Sequence, residues 1–145
     1  MRLTKQTDHG LALLAELARS EAAPTSARDL AQRSRLPEPA VRKILQDLAR
    51  AQILVSHRGA RGGYALARQA DAISVACVIE ALEGPLGLVG CSPEASGLCR
   101  YETTCSVVGP LQWLSSVVHR TLAAIPLSEL ARHAPSTSAD PVCTP

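Results

Sequence analysis

Phenylalanine is absent from this 145-residue chain, methionine and tryptophan occur once each, and tyrosine occurs twice. The core must therefore be assembled from Leu, Val, Ile and Ala, which suits packed helices better than a sandwich of sheets. Charge is scarce as well: 19% of residues are charged and the formal net charge is +2. So weak a total excludes nothing about partners, and what matters is where the positive side chains gather. No stretch reaches the roughly 18 apolar residues that a bilayer span needs. Residues 1–6 place no apolar core behind their basic side chains, so they do not read as a signal peptide and a cytoplasmic protein is expected. The sequence has no Cys-x-x-Cys pair, no internal repeat, no Ser/His/Asp set, no paired-carboxylate site and no phosphate-binding loop. Nothing in the pattern supports catalysis, and no enzyme is expected.

Cysteine is present, in odd number: Cys77, Cys91, Cys99, Cys105 and Cys143. In a reducing compartment this favours metal or redox chemistry over a disulfide framework. Three of the five crowd one stretch, Cys91-Ser-Pro-Glu-Ala-Ser-Gly-Leu-Cys99-Arg-Tyr-Glu-Thr-Thr-Cys105. Thiolates this close can converge on one soft centre, and soft thiolates select zinc, copper(I) or iron–sulfur clusters. Spacing alone does not separate these. The bland reading, in which free cysteines are small buried hydrophobes, suits Cys77 among Val75, Ala76 and Val78 better than three thiols in a polar, glycine-bearing loop. Cys143, in a tail rich in Pro, Ser and Thr, reads as incidental or as an accessible thiol.

The rest of the chain reads as helix, helix, helix, hairpin. A first helix is expected from about Thr7 to Arg19, with Leu13, Leu14, Leu17 and Ala18 on one face and Thr7 or Asp8 as its cap. Ser26 caps a short second helix, Ala27 to Arg33, and Ser34-Arg35-Leu36 forms a turn. Pro37 and Pro39 fit the first turn of a third helix, in which Val41, Ile44, Leu45 and Leu48 repeat at helical spacing. Its other face carries Arg42, Lys43, Gln46 and Arg50. Ile53 to Arg58 and Tyr64 to Ala67, joined through Gly59-Ala60-Arg61-Gly62-Gly63, form a hairpin. The expected fold is mainly α: a winged helix-turn-helix domain with a small β-hairpin wing, plus a long C-terminal dimerisation helix.

Beyond the hairpin, Ser74 caps a fourth helix ending at Gly84-Pro85. A long helix is expected from about Val107 to Ala124, where Val107, Leu111, Leu114, Val118, Leu122 and Ile125 run close to a heptad seam. That stripe predicts pairing with a second copy. Pro126 ends it, and Leu127 to Arg132 form a last turn. The expected divisions are 1–84 for the DNA-binding domain, 85–106 for the cysteine loop, 107–132 for the dimerisation helix and terminal turn, and 133–145 for a disordered tail. His57 and His119 are expected on element surfaces, and Trp113 as a packing anchor.

Four pieces of the chain together resemble the Rrf-two family of winged-helix iron–sulfur regulators, which includes the Isc regulator and the nitrite-sensitive repressor. They are Met1-Arg2-Leu3-Thr4-Lys5 with Thr7-Asp8; Arg58-Gly59-Ala60-Arg61-Gly62-Gly63-Tyr64-Ala65-Leu66; Val78 to Gly84; and Leu122 to Leu130. The resemblance covers about residues 1–132. Glu83-Gly84-Pro85-Leu86 and a widened first cysteine gap are most similar to regulators of the Suf cluster-assembly operon. That gap is seven residues (92–98), against five (100–104) in the second. The Isc type places a histidine where this chain has Val108.

The resemblance implies a homodimeric DNA-binding transcription regulator, a repressor of iron–sulfur assembly genes, controlled by a two-iron or four-iron iron–sulfur cluster. Cys91, Cys99 and Cys105 would hold it. For the fourth ligand, Asp8 matches an aspartate that nitric-oxide-sensing members contribute from the partner subunit; Glu102, Glu94 and His9 are alternatives, and for Asp8 a helix cap is the competing role. On DNA, Glu38, Ala40, Arg42 and Lys43 at the start of the third helix would enter the major groove, where Arg or Lys reads guanine and Glu accepts from cytosine. Arg28 and Arg33 suit phosphates, and Arg58 and Arg61 in the wing suit a narrow minor groove. The competing view of these charges is a solvated surface. The partner expected is double-stranded DNA with a near-palindromic operator. Rival functions are nitric-oxide sensing and a small iron–sulfur electron carrier, which would leave the wing arginines without a use.

Overall fold

The first helix starts earlier than its apolar pattern suggests, and the reason is its cap. In the computed structural model, which describes residues 3–20, 24–59, 62–87 and 104–133, helix α1 spans Lys5–Arg19. Thr4, with extended backbone, is the N-cap, and its hydroxyl accepts from the backbone N–H of Thr7 at 3.3 Å. Neither Thr7 nor Asp8 caps the helix: Thr7 is fully buried and Asp8 lies exposed in the first turn. The backbone N–H of Thr4 is taken by Glu83 Oε1 at 2.7 Å. In an ordinary capping box that N–H is satisfied by a Glu or Gln three residues on. Here that position is Thr7, and a carboxylate 79 residues away supplies the bond instead.

Helix α2 (Ala27–Ser34) is capped by Ser26, whose hydroxyl accepts from Asp29 N–H at 3.1 Å. It closes on Arg35, held at φ 55, while Leu36 N–H returns to the Ala31 carbonyl at 3.1 Å. That helix ending requires a left-handed residue and usually takes glycine. Helix α3 (Glu38–Arg50) follows with Pro37 as N-cap and Pro39 in the first turn, where a missing N–H is harmless. Its expected apolar stripe is real, since Val41, Ile44, Leu45 and Leu48 are each no more than 3% exposed.

Strands β1 (Leu54–His57) and β2 (Gly63–Leu66) pair antiparallel, with Leu54 opposite Leu66 and His57 opposite Gly63. A further contact, which the sequence does not announce, anchors the wing. Thr25 and Tyr64 exchange both backbone hydrogen bonds, at 2.8 and 3.0 Å, so Thr25, just before α2, lies along the free edge of β2. Gly63 is dictated by this approach, because a Cβ there would meet the Thr25 backbone at 2.5 Å.

A single 3-10 turn (Ala70–Ala72) leads to helix α4 (Val75–Glu83), capped by Ser74 as expected and ended at Gly84 with φ 90. Helix α5 (Val108–Ala123) and helix α6 (Leu127–His133) complete the chain. The expected terminal turn is a full helix and packs on α1, with Leu127 wholly buried in the same core as Leu13, Leu30, Leu45 and Ile53. Backbone bonds from Val75 to Ile125 and from Leu127 to Ile73 lace the starts of α4 and α6 together. A smaller cluster of Val75, Ala76, Ile79 and Leu86 receives Leu122 and Ile125 from the end of α5. Among the described residues no helix is long and apolar enough to cross a membrane.

Candidate nucleic-acid interface and cysteine segment

The exposed face of α3 and the wing carry the charge that the core cannot. Arg42 and Lys43 point to solvent, as do Gln46 and Arg50 one turn and two turns on. Arg42 is not free-swinging: its Nε and Nη2 both donate to Glu38 Oε1, at 3.0 and 2.6 Å. Glu38 is half-buried at the helix start, and Ala40 beside it is half-buried. The pair is an i,i+4 ion pair on an exposed face, a type that stabilises a helix by only about 0.3–0.5 kcal/mol. Its effect is to fix where the guanidinium sits. Arg50 is held in the same way by Asp47 Oδ1, while Asp47 Oδ2 takes the side-chain amide of Gln6 at 2.9 Å. A cleft of about 400 Å³ separates α3 from the wing and is lined by Gln46, Ala49, Arg50, Ser56 and Tyr64. Arg58 and His57 are exposed at the end of β1; Arg61 lies outside the described residues.

The two α2 arginines behave differently. Arg28 is exposed at the helix start. Arg33 is turned toward α1, with Nη1 at 3.5 Å from Ser20 Oγ and 3.8 Å from Glu16 Oε1. Arg35, which sequence reasoning passed over as a turn residue, is exposed between α2 and α3. Its only sequence signal is that an arginine occupies a place where a helix ending ordinarily wants glycine.

Of the three cysteines in the 91–105 stretch, Cys91 and Cys99 lie outside the described residues, as do Glu94 and Glu102. Cys105 is a half-buried free thiol whose carbonyl accepts from Val108 N–H just before α5. Among the described residues no group of three or more potential ligands forms a metal site. Asp8 is exposed on α1, with its side chain unengaged among the described residues, and His9 is half-buried beside it. The segment leaves α4 at Glu83, whose carboxyl is held below the usual range first by the Thr4 N–H and then by the Thr7 hydroxyl, against a smaller opposing effect of burial. Thus the first turn of α1, which bears Asp8, is tied to the point where the cysteine segment departs. Cys77 is half-buried on α4 and packs against the main core. His119 is not a bare surface residue: its Nε2 lies 3.1 Å from Glu80 Oε1, joining α5 to α4.

Helix α5 leaves an apolar face open. Trp113 is 64% exposed, Val107 50% and Leu114 45%, so among the described residues Trp113 is not part of the core. Leu111, Val118 and Leu122 of the same stripe are half-buried.

The chain matches the profile of the Rrf2 family, described as iron-dependent transcriptional regulators, over residues 3–133. It is 36% identical over 90 residues to the HTH-type transcriptional regulator CymR of Bacillus subtilis, covering 61% of this chain and 65% of that protein. The chain thus spans just under two thirds of that relative's length. It is 30% identical over 135 residues to protein rrf2 of Nitratidesulfovibrio vulgaris, covering 92% of this chain and 89% of that one. The solved structure of B. subtilis CymR, the global cysteine regulator of that organism, superposes with a TM-score of 0.75 at 27% identity, over 93% of this chain and 99% of that one. IscR of T. potens shares the fold, with a TM-score of 0.70 at 23% identity, over 97% and 93% of the two chains. These relatives are regulators of transcription and not enzymes. The mainly helical winged fold, the laced core and the family match agree: this chain belongs to the Rrf2 family of DNA-binding transcription regulators.

Proposed function

We propose that the protein is a homodimeric repressor whose operator binding is governed by an iron–sulfur cluster, with iron–sulfur assembly genes of the Suf or Isc kind as its targets. The carrying observation is the placement of three thiols within residues 91–105, between a winged unit and α5, in a family described as iron-dependent. The donor set fits the group, since thiolates select iron–sulfur centres among soft metals. Cys91, Cys99 and Cys105 would hold it, and a carboxylate would complete the site. Asp8 is the favoured fourth ligand because Thr4, and not Asp8, caps α1, which leaves that carboxylate without a partner among the described residues. A carboxylate holds such a centre less firmly than a fourth thiolate, which suits a sensor. When bound, the cluster supplies redox-sensitive chemistry; the chain's own residues translate its presence into the placement of α3 and the wing. A difference of about 2.8 kcal/mol between the two forms changes operator affinity about a hundredfold.

On DNA, Glu38, Ala40, Arg42 and Lys43 would face the major groove, Arg58 and Arg61 the minor groove, and Arg28 a phosphate. The open face of α5 would be covered by the same helix of a second copy, placing two reading helices about 34 Å apart on a near-palindromic site. A second reading, nitric-oxide sensing, rests on the same unengaged Asp8.

Protein purified without oxygen should be brown, and the visible absorption should vanish in Cys99→Ser. A colourless protein with stoichiometric zinc would end the cluster reading. Asp8→Ala should shorten the cluster's lifetime; an unaltered spectrum and lifetime would remove Asp8 from the site.

A further inference from the structure

Five arginines lie along α2, its turn and α3, and three of them are engaged by carboxylates: Arg33 by Glu16, Arg42 by Glu38 and Arg50 by Asp47. Arg28 and Arg35 have no such partner among the described residues. The two line one notch of about 280 Å³, together with Gln32 and Glu38. Gln32 is exposed and presents amide donors. Glu38, the one acid present, is occupied by two guanidinium hydrogen bonds from Arg42, which offsets its charge. A shallow notch with an amide and two guanidinium groups that have no carboxylate partner among the described residues, beside the start of α3, suits a tetrahedral anion; guanidinium forks match phosphate oxygens bidentately.

We propose that Arg28, Gln32 and Arg35 hold a phosphate of the DNA backbone, fixing the register of α3 in the groove, and that Arg35 rather than Arg33 is the second phosphate contact. This rests on the reading that α3 faces DNA. Contacts of this kind position a protein without reading sequence.

The left-handed geometry of Arg35, φ 55, gives a clean test, because glycine fits that backbone and removes only the side chain. Arg35→Gly should leave the unfolding midpoint unchanged or raised. It should weaken binding to operator and to unrelated duplex by the same factor and lower the salt slope by about one per bound subunit. Arg35→Lys should restore the slope, and Arg33→Ala should not alter it. A slope unchanged in Arg35→Gly, or lowered equally in Arg33→Ala, overturns the proposal. Titration of the protein with inorganic phosphate alone should show no saturable binding; saturable binding that Arg35→Gly abolishes would assign the notch to the free ion and overturn the DNA role. Arg42→Ala and Arg58→Ala mark the difference from a failure of the underlying reading. If they weaken DNA binding and Arg35→Gly does not, the notch alone is wrong; if none of the three does, α3 is not the reading head and the notch assignment falls with it.

Discussion

Glu83 shows how much one side chain can connect. Its carboxylate accepts from the Thr4 N–H at the start of α1, and that bond holds its carboxyl below the ordinary glutamate range. A depressed carboxylate stabilises the fold fully above its unfolded value, and that stability is lost as pH falls through the folded one. Glu83→Gln should therefore lower the urea midpoint at pH 7, and its deficit relative to the unaltered protein should shrink as pH falls below about 4; a deficit independent of pH would show that charge is not involved. Gly63 makes a second local prediction. Gly63→Ala drives a Cβ against the Thr25 backbone and should cost about 1–3 kcal/mol, read as a fall in thermal midpoint. In the sequence Gly63 reads only as part of the link that joins the two strands of the hairpin. At Gly63 the close approach is the protein's own backbone, a long-range pairing that no local pattern encodes.

At the scale of elements, legibility followed periodicity and caps. The stripe of α3 and the caps Ser26 and Ser74 were readable because each is a local signal with a local cause. The cap of α1 was not, because half of it comes from α4. The role of α6 was not, because seven residues carry too little pattern to show that Leu127 belongs to the main core. Leu127→Ala should cost about 2–5 kcal/mol by chemical denaturation, in the range of a filled core position. A cost below 1 kcal/mol would mean that α6 merely rests on α1. Arg35 and Gln52 both occupy left-handed helix endings without being glycine. In the sequence they look like ordinary polar turn residues; only the backbone reveals the strain.

For the whole molecule, the winged architecture was legible because each element announces itself and their order admits few arrangements. The candidate site was less so. The residues proposed to face DNA were chosen by type, but which arginines are tethered and which are available depends on carboxylates elsewhere, such as Glu16 reaching Arg33. The open face of α5 leads to a prediction of assembly. Leu114→Glu should convert the protein to a monomer in sedimentation and weaken operator binding sharply, while leaving the winged unit folded by circular dichroism. A variant that still sediments as a dimer would place the contact elsewhere. Within the chain α5 is joined to α4 by His119 and Glu80 and by the burial of Leu122 and Ile125. A second copy seated on α5, as proposed, would thereby be connected to the helix from which the cysteine segment departs.

The cap that α1 borrows from α4 has one more consequence. The Thr4 amide hydrogen is shielded only while the last turn of α4 is wound, so its exchange with solvent is a clock set by that distant turn. Protection at Thr4 and protection at the end of α4 should rise and fall together as one opening event. A single amide near the beginning of the chain then reports the order of the doorway to the cysteines, with no label placed on the cysteines themselves.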